Sequence, residues 1–394
     1  MSKSKPFSFF SHLECSECRK TFSKTDLHSY CKSCNRPLLA RYDVPKTGFD
    51  KAVLPSRPAT MWRYREMLPV ENPENIVTLG EGFTPLLPVR RLAARLGLSQ
   101  LFLKDESGNP TASFKARGLS AAISKAKEYG VAAVAVPTAG NAGSATSAYA
   151  AQAGMSAQVF MPRATPSVFR ADCTFFGATV TLVDGSIRDC GKLLASQNVD
   201  NQWFDVSTLK EPYRLEGKKT MGYELAEQLN WQLPDVVIYP AGGGTGLIGI
   251  WKAFQEMLEL GWISAIPTRM VCVQSAGCAP IVEAFAAGMA VGKAVENPSE
   301  TIANGLRVPA PFGDKLMLQV LAESGGTALT VTDAEMLEGI RDIAAAEGLF
   351  VAPEGAATWV ALQRLRASNW IAANESVVLL NTGSAYKYLE NIWT

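Results

Sequence analysis

Histidine is almost missing from this chain. Of 394 residues only His12 and His28 are histidine, so positions 36–394 contain none. Chemistry in the main body must run without imidazole as acid, base or metal ligand, which excludes Ser-His-Asp and Cys-His schemes and most zinc hydrolases. Lysine, carboxylates or a cofactor are left to move protons. An excess of one charge is missing too: 38 basic side chains face 37 acidic ones, a net +1. That balance leaves no footprint for nucleic acid or an acidic membrane surface. No apolar run reaches the roughly 18 residues of a membrane span, and the opening MSKSKPFSFFSHLEC lacks the apolar stretch of a secretory signal. The expectation is a cytoplasmic protein with a small-molecule substrate and neither nucleic acid nor membrane as partner. With 47% apolar and 19% charged residues the composition is ordinary for a globular protein. The length suggests two lobes and an appendage.

The appendage is marked by Cys15, Cys18, Cys31 and Cys34, spaced C-x2-C-x12-C-x2-C. Two such knuckles can set four thiolates tetrahedrally around one zinc ion, closing its coordination sphere and leaving no position for catalysis. Disulfides do not suit the expected compartment. A structural zinc ribbon is expected over 1–45, too short to bury a core and drawing most of its stability from the metal. A linker follows over 46–75, Pro-rich at 55–73, and then a body over 76–394 whose smaller lobe covers about 110–210. Cys173, Cys190, Cys272 and Cys278 show no ligand spacing and read as small apolar residues.

The body alternates strand and helix. Strands are expected at 101–106, 131–137, 156–162, 178–184, 235–240, 269–275 and 375–384, and a helix at 116–128. In LIGIWKAFQEMLEL, residues Leu247, Ile250, Trp251, Phe254, Met257 and Leu258 share one face at the 3.6 period. This order predicts an α/β protein of parallel twisted sheets flanked by helices, with ligands outside the C-terminal ends of the strands.

Four segments at such ends carry candidate chemistry. In SFKARG, Lys115 opens a helix, where its charge opposes the positive end of the dipole. A lysine so placed is poorly suited to a structural role and has its pKa lowered, which favours Schiff-base chemistry. In AGGGTG, Gly242, Gly243, Gly244 and Thr245 stand between strand and helix, where bare N–H groups can wrap a phosphate. Gly244, Gly246 and Gly249 also satisfy the dinucleotide pattern GxGxxG, but the next strand ends in Gln274 and Ser275 rather than in the acid that a ribose needs. In PTAGNAGS, Asn141 enters a helix and can bind a carboxylate or cofactor oxygen. In NTGSAYKY, the neutral hydroxyls of Thr382 and Ser384 suit an unprotonated pyridine nitrogen. Each segment could equally be a turn, cap or solvated surface taken alone.

Together and in this order they resemble the fold type II enzymes of pyridoxal 5′-phosphate (PLP), the tryptophan-synthase β-like superfamily, and within it the threonine synthases. GEGFTPLLP at 80–88, KDESGNPTASFKARG at 104–118, YRLEGKKT at 213–220 and EGLFVAPEGAA at 347–357 are similar to segments of that group, some of whose members also carry a zinc ribbon. The resemblance implies a carbon-oxygen lyase that releases phosphate from O-phospho-L-homoserine and adds water to give L-threonine. It implies that Lys115 carries the cofactor as a Schiff base, Asn141 bonds its phenolic oxygen, Gly242, Gly243, Gly244 and Thr245 hold its phosphate, and Thr382 faces its ring nitrogen. Thr138 and its neighbours would take the substrate carboxylate and Arg214 its phosphate, in a homodimer. Ala116 and Ala142 depart from the Asp and Thr usual there, so β-elimination or β-replacement on another amino acid stays open. A nicotinamide oxidoreductase and a silent scaffold are the readings from other classes.

Overall fold

The computed structural model describes residues 6–45 and 48–393, so the linker expected over 46–75 begins on two residues, Lys46 and Thr47, outside the described set. The chain forms two compact units, one of residues 1–83 and 115–220, the other of 84–114 and 221–394. No helix among the described residues is long and apolar enough to cross a membrane.

In the first unit, strands Phe10–Cys15, Thr21–Ser23 and Leu38–Tyr42 make an antiparallel sheet with Phe10–Cys15 in the middle. Leu13 lies opposite both Phe22 and Ala40, and Cys15 opposite Leu38. The appendage is indeed too short for a core of its own, but it shares one: Phe10, Leu13, Leu38 and Ala40 pack with Ala122 and Tyr213 of the body. Its stability therefore does not come from metal alone. The Pro-rich stretch is likewise packed. Short 3-10 segments at Lys51–Ser56, Met61–Met67 and Pro73–Asn75 lie along it, and Met61, Tyr64, Leu68 and Val70 are fully buried.

A four-stranded parallel sheet completes this unit in the order Thr179–Val183, Ser156–Pro162, Ala133–Pro137, Phe204–Asp205. Helix Asn141–Ala153 is rich in alanine, whose small side chains allow close packing, and it ends where Gly154 at φ +69° caps Ala150 and Ala151.

The second unit holds a six-stranded sheet in the order Thr327–Val331, Arg269–Ser275, Val236–Pro240, Ser376–Asn381, Gln100–Asp105, Leu86–Pro88. All pairings are parallel except the last. Its central strands are continuous apolar runs, as sheets covered on both faces require, and Ile238, Val271, Leu379 and Leu103 meet Trp359 in one core. The helix expected after AGGGTG spans Thr245–Glu259 and is buried nearly all round: Ile248, Lys252 and Ala253 are covered as well as Leu247, Ile250 and Phe254. Leu258, expected on the buried face, is 43% exposed in the last turn.

The parallel order sends each candidate loop off the C-terminal end of a strand. Ala133–Pro137 runs into Thr138–Asn141, Val236–Pro240 into Ala241–Gly244, and Ser376–Asn381 into Thr382–Ser384.

Candidate active site and metal centre

Among the described residues Cys15, Cys18, Cys31 and Cys34 bring their sulfurs within 4.8 Å of one another. Cys15 and Cys34 are 3.3 Å apart, and Cys18 and Cys31 3.9 Å. Four sulfurs about 2.3 Å from a central zinc lie roughly 3.8 Å apart in a tetrahedron, so this set fits the ion. Burial disfavours the Cys31 thiolate, but hydrogen bonds from Cys34 and Ser33 outweigh it and hold the thiol at about 6. Cys34 is pushed up to about 12, chiefly by its bond with Cys15. The remaining cysteines are buried, as small apolar residues are.

Lys115 is the first residue of helix Lys115–Glu128 and is half-buried. One turn on, a Cβ at Gly118 would lie 2.9 Å from the Arg214 carbonyl and 3.1 Å from Cε of Lys218, so glycine admits the second helix, Tyr213–Gln228, to close range. Arg214 is 1% exposed. Its Nη1 donates to the Val206 carbonyl at 2.5 Å, while its buried Nε and Nη2 have no partner among the described residues. Burial works against its charge, and Glu211 and Asp205 support it.

Glu211 caps this helix, accepting from the backbone N–H of Tyr213 at 2.7 Å and of Arg214 at 3.1 Å. Burial lifts its carboxyl to about 7, although Arg214, those N–H groups and Lys218 favour the ionised form. Burial, then the charges of Lys115 and Arg214, push the Lys218 amine well below the usual lysine range, against Glu211. Neither Glu211 nor Lys218 is singled out by sequence reasoning. The signal available was their spacing, which places 211, 214 and 218 along one side of a helix and its cap.

Thr138 and Asn141 share one loop. The Thr138 hydroxyl accepts from the N–H of Gly140 and of Gly143, both at 3.2 Å, and so fixes the entry to the helix that Asn141 begins. The N-cap residue itself, Gly140, brings no side chain to that turn. Glu81, in GEGFTPLLP, is fully buried and accepts from Tyr149 Oη at 2.5 Å and Trp62 Nε1 at 3.1 Å.

In the second unit, Gly242 passes so close to Gly305 that a Cβ would meet its carbonyl oxygen at 2.1 Å. Gly244, at φ +75°, stands at the N-cap of helix Thr245–Glu259 and, being glycine, brings no side chain of its own to that turn. Backbone N–H groups at a helix start suit a phosphate, and Thr245, 3% exposed, carries a hydroxyl there. Gln274 is occupied structurally, donating to the Ala241 carbonyl at 3.1 Å and accepting from Ile281 at 2.9 Å. It leaves the strand end without the acid of a dinucleotide site.

Thr382 is 6% exposed, and its carbonyl accepts from the N–H of Phe114, the residue before Lys115, at 3.1 Å. Ser384 N–H bonds the Ala112 carbonyl at 3.1 Å. Ala112 and Phe114 are thus stitched to the C-terminal loop. Asn381 spans the base of that loop, donating to Asp105 at 2.8 Å and accepting from Ala352 N–H at 3.2 Å. Gly355 of APEGAA lies where a Cβ would be 2.4 Å from Asn381 Oδ1. Thr84 of the first motif and Asn109 of the second both bond Glu106, at 2.5 and 2.8 Å.

The sequence model of pyridoxal-phosphate dependent enzymes matches residues 77–383. The chain is 35% identical to the threonine synthase of Methanosarcina acetivorans over 377 residues, 95% of this chain and 92% of that one. It is also 35% identical to the threonine synthase of Methanocaldococcus jannaschii over 376 residues, with the same coverage. Among solved structures, maize serine racemase superposes with a TM-score of 0.67 at 22% identity, covering 79% of this chain and 94% of that one, which shows a common fold.

Proposed function

The chain belongs to the pyridoxal-phosphate dependent enzymes, and from that membership we propose that it is a threonine synthase-like lyase, converting O-phospho-L-homoserine and water to L-threonine and phosphate. The observation that carries this reading is Arg214, whose buried guanidinium keeps Nε and Nη2 without a partner. A buried unpaired donor is costly, and an anionic group on the substrate would satisfy both. Sequence similarity to threonine synthases supports the same choice.

PLP, when bound, supplies the electron sink for carbanions at the substrate. Lys115 then holds the cofactor and carries protons at Cα and Cβ, while the Cγ–O bond breaks and phosphate leaves with its electron pair. Water adds its hydroxyl to Cβ, and Cγ takes the proton. Gly242, Gly243, Gly244 and Thr245 hold the cofactor phosphate by N–H and hydroxyl donors, and Asn141 offers its amide to the phenolic oxygen. Thr382 keeps a neutral hydroxyl toward the ring nitrogen. Thr138 and its loop orient the substrate carboxylate, and Arg214 the departing phosphate.

A second reading, β-elimination or β-replacement on another amino acid, is favoured by Ala116 and Ala142. There this chain lacks the carboxylate and hydroxyl that the threonine synthase pattern carries. Phosphate release from O-phospho-L-homoserine with identification of the amino-acid product separates the two. Phosphate and threonine formed together, and lost in Lys115→Ala, support threonine synthesis. A loaded enzyme that releases no phosphate from this substrate but forms a 2-oxo acid from serine or threonine overturns it for the second reading.

A further inference from the structure

We propose that the ribbon and the small parallel sheet form a second ligand site, which takes a small organic anion with a flat apolar body. A cavity of about 630 Å³ opens where the ribbon loop Leu27–Lys32 faces the segments before strands Ala133–Pro137 and Phe204–Asp205. Small-molecule sites span about 300–1,000 Å³ and combine apolar walls with a few polar groups. The cavity lies at the N-terminal end of a strand whose C-terminal end leads to Thr138 and Asn141. Five residues of strand separate the two, roughly 15 Å at 3.3 Å per residue. It is not an extension of the site described above, and it exists only because the ribbon covers that end of the sheet.

The lining gives the ligand class. Lys32 and Lys210 both border the cavity, and neither has a carboxylate partner among the described residues. The bordering acid, Asp205, is engaged by the N–H of Ser207 at 2.9 Å and by its hydroxyl. The balance favours an anion. Lys32 Nζ rests 3.9 Å from the centre of the Tyr30 ring, which holds its charge at the rim. His28 adds a buried Nε2 with no partner among the described residues, a polar group for the ligand to meet. Trp203, Leu194 and Ala133 make the apolar walls, far more surface than an inorganic ion can cover.

The test uses the zinc- and PLP-loaded protein and the fluorescent aromatic sulfonate 8-anilinonaphthalene-1-sulfonate. The site binds one dye per chain, with Kd raised at least tenfold both in Lys32→Glu/Lys210→Glu and in Ala195→Trp, which fills the cavity from an exposed helix position. The visible absorbance of the bound cofactor stays unchanged in both. Unchanged dye affinity in either variant, with circular dichroism showing that it is folded, overturns the proposal.

Discussion

A methyl group at Gly242 has nowhere to go, because the Gly305 carbonyl lies 2.1 Å from where its carbon would be. Gly242→Ala must move backbone, and overpacking of this kind costs about 1–3 kcal/mol. If the loop holds the cofactor phosphate, PLP affinity falls by about ten- to a hundredfold, read by titrating visible absorbance, and saturating PLP restores turnover. Lys115→Ala behaves differently: PLP still binds through its phosphate, the absorption of the lysine-bound form is lost, and turnover falls by about a thousandfold or more. Glu211 makes a prediction about stability. Burial raises its carboxyl from the ordinary 4.5 to about 7, so the folded state holds a proton that the unfolded chain gives up. Its contribution to stability is full below pH about 4.5 and is lost as pH rises through about 7. Denaturant melts should show the wild type losing stability across that window relative to Glu211→Gln, by up to about 3 kcal/mol at about 1.4 per pH unit.

At the scale of elements, the ribbon is the part whose fate hangs on an ion. Cys31→Ser should take zinc content from one ion per chain to near zero. Because Phe10 and Leu13 share a core with Ala122 and Tyr213, the damage should reach the body. Tm falls by at least about 5 °C, and hydrogen exchange speeds up in Tyr213–Gln228 as well as in the ribbon; unchanged exchange in that helix would show the shared core to be dispensable. The ribbon and the body strands were legible because each is a local signal, a cysteine spacing or an apolar run between turns. Strands expected at 156–162 and 269–275 occupy those residues. Thr327–Val331 was not legible, since an edge strand with four of five residues half-exposed carries no continuous apolar run. Pro-rich 55–73 was read as a linker, and the burial of Met61 and Tyr64 depends on distant partners that no local pattern encodes. The same limit hid Glu211 and Lys218, which read as solvated charges until a second helix buries them. The candidate loops stood out only as an ordered set, because glycine, threonine and asparagine between strand and helix serve equally as turns and caps.

For the molecule as a whole, the placement of histidine makes the most exposed claim. Every imidazole lies in the ribbon, at His12 and His28, so proton transfer in the body falls to lysine and carboxylate side chains and to whatever the cofactor holds. Buried charge is not scarce there: Lys104 meets Glu224 at 2.7 Å and Lys219 meets Glu216 at 2.6 Å, all four fully buried. Such pairs are held in place by the cost of separating them. The double variant His12→Asn/His28→Asn, which keeps all four cysteines, should retain zinc and keep kcat/KM within about twofold of the unmodified enzyme. Its pH profile should keep the same shape. Loss of an inflection from that profile would place a ribbon histidine in the reaction and require the ribbon to reach the substrate.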